Sequence, residues 1–138
     1  MSPAVRRITA IIAALIVAGI IVYAIESISS QVHPLPESID STDPESIRRA
    51  LEAGQFPLIT MGLMVLGWWL AAYAGGGVAL RMSKSSGAVW VFTIISAVFV
   101  WSQLKGLPHP TWLWLAGILG TPLFALGGGR QNISLRKP

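Results

Sequence analysis

Apolar positions along this chain gather into four long blocks, with polar residues concentrated between them. The blocks run over approximately 8–29, 57–80, 88–104 and 111–126. A helix rising ~1.5 Å per residue needs about 20 residues to cross ~30 Å of hydrocarbon. The first two blocks reach that length with some tilt. The last two are short, and their flanking Trp and Lys residues are expected to absorb the mismatch. None of the blocks alternates polar and apolar residues as a barrel strand would. Because lipid offers backbone groups no partners, each block is expected to be a helix. The predicted fold is an all-α integral membrane protein: one four-transmembrane-helix bundle spanning 1–138, with a short outer interfacial helix.

That short helix is predicted inside the longest polar stretch, the outer loop 30–56. The spaced prolines of "HPLPES" hold the chain extended. "TDPESIRRALEAG" then reads as a helix, with Asp43 as N-cap, Pro44 at the first position and Gly54 at the exit. Ile47 and Leu51 share one face, while Glu45/Arg49 and Arg48/Glu52 are spaced as i,i+4 ion pairs. Two punctuation marks are expected in the last block: a kink at Pro122 and a stop at Gly127-Gly128-Gly129. In the second block Gly75-Gly76-Gly77 opposes helix formation by roughly 1 kcal/mol per glycine relative to alanine, and a local break there is one of two readings.

Composition supports lipid as the solvent. Of the 138 residues, 53% are hydrophobic and 12% charged, with mean hydropathy +0.63, against about 25% charged in soluble domains. The absence of cysteine excludes disulfides, thiolate metal sites and thiol nucleophiles. A net charge of +4 would ordinarily raise the question of nucleic acid, but the placement of the charges answers it. Arg6 and Arg7, Arg81 and Lys84, and the tail residues Arg130, Arg136 and Lys137 occupy one set of ends without any acidic residue. Glu26, Glu37, Asp40, Asp43, Glu45 and Glu52 occupy the other set, with Arg48, Arg49 and Lys105. The positive-inside rule then places both termini in the cytoplasm, and the basic ends meet anionic head groups instead of nucleic acid. Arg6 and Arg7 followed by Val22-Tyr23-Ala24 have the outline of a cleaved leader. The apolar stretch exceeds a usual leader core, so the block is read as a retained span.

Few residues carry candidate chemistry. Gly67, Ala71, Gly75 and Ala79 repeat at four-residue steps and form a small-residue packing face, either within the bundle or between protomers. Trp68 and Trp69 lie near mid-bilayer and read as large packing residues. On the third block Thr93, Ser96 and Gln103, with Ser86, fall in one sector of a helix. They are expected to bond between helices, and the alternative is a polar path through an oligomer. No Asp, Glu, Lys, Arg or His lies mid-block, which argues against a proton-coupled transporter. Glu26 is the nearest, reaching towards Lys105 or Arg48. Leu107-Pro108-His109-Pro110 reads as a tight outer turn, with Trp101, Trp112, Trp114 and Tyr23 as an interfacial belt. Glu26, His33 and His109 share the outer side and form a candidate metal or proton-binding cluster. No metal or cofactor is expected, and no catalytic constellation is legible.

"GWWLAAYAGGGVALRM" (Gly67–Met82) and "PHPTWLWLAGILGTPLFALGG" (Pro108–Gly128) resemble recurring blocks of small four-helix bacterial inner-membrane proteins. The outer-loop run "LPES…DPESIRRALEAGQFPL" is similar to theirs, so the likeness covers about two-thirds of the chain. It implies the four-helix architecture and a bacterial inner membrane, and supplies no catalytic residue. The expected function is non-enzymatic: an accessory or assembly subunit whose partners are membrane lipids and another membrane protein or a second copy. An oligomeric channel for small solutes is the alternative.

Overall fold

The computed structural model describes the backbone of residues 1–134 and the side chains of residues 1–130; Arg136 and Lys137 of the basic tail lie outside them. Five helices follow in order: α1 (Pro3–Val32), α2 (Pro44–Glu52), α3 (Leu58–Ser83), α4 (Ser86–Lys105) and α5 (Thr111–Ser134). Every helix but α2 is long and apolar enough to cross a membrane. They exceed the apolar blocks because polar ends continue the helical hydrogen bonding. Ser2 caps α1, its Oγ accepting the Val5 N–H at 3.3 Å.

The helix stop expected at Gly127-Gly128-Gly129 does not occur, and of the two readings of Gly75-Gly76-Gly77 the unbroken helix is the one found. α3 runs unbroken through Gly75-Gly76-Gly77, and α5 continues through Pro122 and past Gly127-Gly128-Gly129 to Ser134. Close packing explains both. A Cβ on Gly76 would fall on the Ala125 carbonyl oxygen, and one on Gly128 would fall on the Tyr73 carbonyl oxygen. These glycines are where the α3 and α5 backbones meet. Contact at that distance gains dispersion energy and weak Cα–H···O bonds, offsetting the low helix propensity of glycine.

α3 is the centre of the bundle and packs on α1, α5 and α4. α1 lies antiparallel to it, with Ile25 against Gly67 and Ala14 in the same buried cluster as Ala72 and Ala79. The turns at Lys84-Ser85 and at 106–110 reverse the chain twice, so α3 and α5 run parallel. Lys84 takes the left-handed conformation (φ 56°) that closes α3. Ser83 fixes this turn: its Oγ donates to the Ala79 carbonyl at 2.6 Å and accepts the Ser85 N–H at 3.0 Å. One consequence of this topology is that Arg6, Arg7, Arg81, Lys84 and Arg130 collect at one end. One core cluster, around Phe92 and Ala125, sits towards that end; the other, around Trp68, Val100, Leu104 and Leu113, sits towards the opposite end.

The segment between α1 and α3 follows its sequence signals. Asp43 caps α2 by accepting the Glu45 N–H at 3.0 Å, Pro44 opens the helix, and Gly54 leaves it at φ +66°. Leu51 packs under the cluster around Leu113. The ion pairs differ from the expected i,i+4 set: Arg48 meets Glu45 at 3.6 Å and Arg49 meets Asp43 at 3.9 Å. Arg49 reaches back because its Nε also donates to the Glu45 carbonyl, at 3.3 Å. All four side chains are solvent-exposed, so the pairs contribute little.

Candidate functional site

The small-residue ladder of α3 is occupied within the chain. Gly67, Ala71, Gly75 and Ala79 are all buried. Gly67 receives Ile25 of α1, at 3.2 Å from where its Cβ would stand, and Gly75 receives the ring of Phe92 from α4. Of the two sequence readings, packing inside the bundle is the one found. α1 and α4 thus occupy this face within the chain at Gly67 and Gly75.

The polar stripe of α4 is divided. Thr93 is buried, and its hydroxyl donates to the Val89 carbonyl of the preceding turn at 2.8 Å. Gln103 is exposed and Ser96 half-buried. Only Ser96 reaches the cavity described below, so the three do not line one path. The Trp68-Trp69 pair packs as expected. Trp68 is buried, while Trp69 stacks on Phe124 (ring centroids 4.9 Å apart, planes 11° apart) and donates Nε1–H to the Ala116 carbonyl at 3.0 Å.

The candidate cluster of Glu26, His33 and His109 is divided, with Glu26 and His33 in one groove and His109 elsewhere. His109 turns back onto the end of α4, with Nδ1 at 3.3 Å from the Leu104 carbonyl and 3.1 Å from that of Leu107. Both partners are acceptors only, so Nδ1 carries the proton and the ring acts as a helix C-terminal donor. His33 ends α1 and lines an outer groove of about 530 Å³ with Glu26, Ser29, Glu37 and Thr60. Among the described residues no three His, Asp or Glu side chains assemble as a metal site. Glu26 does not reach Lys105 or Arg48: Lys105 sits 4.9 Å over the Trp101 ring, and Arg48 pairs with Glu45.

A site missed in the sequence lies between α1 and α4, with α3 as its floor. This cleft holds about 330 Å³ and is bordered by Tyr23, Glu26, Trp68, Ser96, Phe99 and Thr121. It exists because α1 packs on α3 through alanines and touches α4 only lightly, leaving room along Gly19, whose Cβ position has no atom within 4 Å. Thr121 enters from α5, 1% exposed, and its hydroxyl has no hydrogen-bond partner. A buried hydroxyl without a partner is unfavourable by roughly 1–3 kcal/mol. Glu26 borders both this cleft and the groove at His33. The sequence signal was the α1 series Leu15, Gly19, Tyr23 and Glu26, which falls along one helical face.

Comparison of the chain with protein-family models, curated proteins and solved structures finds no match.

Proposed function

We propose that the protein is a non-enzymatic, multi-pass protein of the bacterial inner membrane, with both termini cytoplasmic, that works as an accessory or assembly subunit through contacts within the bilayer. Four long apolar helices and the gathering of basic side chains at one end support this placement. One observation carries the functional part. α1 buries only Ala10, Ala14 and Ser29 of its 30 residues. It presents Ile8, Ile12, Ile16 and Ile20 outward at four-residue steps. A helix held by alanines on one side, with a ridge of isoleucines on the other, is shaped to pack against a second membrane helix.

With the α3 ladder used internally, α1 is the contact helix of this reading. A photo-crosslinking residue at Ile16 in native membranes should give discrete protein adducts, while the same residue at Leu123, exposed on α5, should give none. Lipid adducts alone at both positions would refute the subunit role.

A further inference from the structure

We infer that the cleft between α1 and α4 is a binding site for a lipophilic organic cation, a compact apolar body carrying one positive charge. Its volume, about 330 Å³, falls at the lower end of the ~300–1,000 Å³ range of small-molecule sites. Along α1 it extends from Leu15 to Glu26, roughly 16 Å at ~1.5 Å per residue.

Charge selects the ligand. Glu26 is the single acidic side chain on the cleft wall, and no Lys, Arg or His accompanies it. Among the described residues neither ion pair involves Glu26. Three aromatic side chains, Tyr23, Trp68 and Phe99, line the same space. A carboxylate beside aromatic rings in an apolar cavity recognises organic ammonium and related cations, because the ring faces and the carboxylate present negative potential together. At the deep end Thr121 lines the cleft, its buried hydroxyl without a hydrogen-bond partner.

The competing occupants fit less well. An acyl chain from a bulk lipid would fill the volume but leave the Glu26 carboxylate without a counter-charge. An anionic head group would bring like charge against Glu26. Entry is lateral, since the open wall at Gly19 faces outward from the bundle.

The test uses the full chain purified in detergent and two ions of one shape and opposite charge, tetraphenylphosphonium and tetraphenylborate. Saturable binding of the phosphonium near one per chain is expected, with no comparable binding of the borate. Glu26→Gln, an exposed position, should weaken the phosphonium by roughly tenfold or more; Thr121→Val should weaken it less. Gly19→Leu, placed in open space, should abolish binding while the thermal transition is retained. Equal binding of both ions, or phosphonium affinity unchanged in Glu26→Gln and Gly19→Leu, would overturn the assignment. The charge comparison needs only the unaltered protein, so it stands even if a variant fails to fold. It is also independent of the α1 crosslinks.

Discussion

Gly76 of α3 and Ala125 of α5 lie so close that a side chain on the glycine would occupy the alanine's carbonyl oxygen. Backbone is the obstacle here, and backbone cannot rotate aside as a side chain can. Gly76→Ala should therefore destabilise the bundle by about 1–3 kcal/mol, the usual range for overpacking, with a larger loss for Gly76→Leu. Gly62→Ala is the matched control. Its Cβ position has nothing within 4 Å, so the helix propensity of alanine, worth up to ~1 kcal/mol, should show as a neutral or raised melting temperature. Thermal unfolding in one detergent compares them; equal melting of the two variants would contradict this packing.

Trp69 separates hydrogen bonding from volume. Its ring stacks on Phe124 and fills the space that Gly120 leaves open, while Nε1–H bonds the Ala116 carbonyl. Trp69→Phe keeps an aromatic ring and loses the bond, and should lower stability by ~0.6 kcal/mol, the mean for interhelical bonds in membranes. Trp69→Ala opens a cavity and should lower it by about 3–5 kcal/mol. Unfolding in graded denaturing detergent reads both. Similar losses for the two would mean that the hydrogen bond, and not the packing, carries the contact.

His109 is assigned to closing α4 instead of holding a metal. Asn places a donor near the position of Nδ1, so His109→Asn should retain most of the stability that His109→Ala loses, about 0.5–1.5 kcal/mol for one hydrogen bond. Chelator should leave the melting temperature of the unaltered protein where it was. A fall on adding chelator, restored by zinc, would return the histidine to a ligand role.

These packing relationships show what a sequence displays and what it withholds. The four long apolar helices, the short α2 and its Asp43-Pro44 start follow from local properties: apolar run length, and a side-chain oxygen placed to cap a helix. Glycine function does not follow locally. Gly127-Gly128-Gly129 carries the composition of a helix stop, and the Tyr73 carbonyl beside Gly128 and the Val89 side chain beside Gly129 turn it into a contact. A signal was nonetheless present. Gly117, Thr121, Ala125 and Gly129 stand at four-residue steps, all buried, as a second ladder matching the one on α3. The α1–α4 cleft was harder still to foresee, because it arises where two helices fail to touch, and the α1 face of Leu15, Gly19, Tyr23 and Glu26 marks only one of its walls.

Outside the four long helices, Asp40 gives a pH-dependent test of the segment between α1 and α2. Its Oδ1 accepts the Thr42 hydroxyl at 2.7 Å and the Thr42 N–H at 2.9 Å, while its own N–H donates to Ser46 Oγ at 2.9 Å, tying the loop to α2. The Thr42 hydroxyl first, and its N–H second, lower the Asp40 pKa below the ordinary 3.8. With the folded value depressed, the carboxylate's contribution is fully present above the unfolded pKa and fades as pH falls through the folded one. Loop order should thus hold constant from neutral pH down to about 4 and loosen only below that. Because Asp40 is fully exposed, the change should stay local and leave the bundle's melting unaffected. The Thr42 amide resonance, followed by NMR against pH, should titrate below 3.8, and Thr42→Val should move the midpoint upward by removing the stronger of the two bonds. A midpoint that Thr42→Val leaves in place would mean that the turn is held by its backbone alone, with the Asp40 carboxylate a bystander.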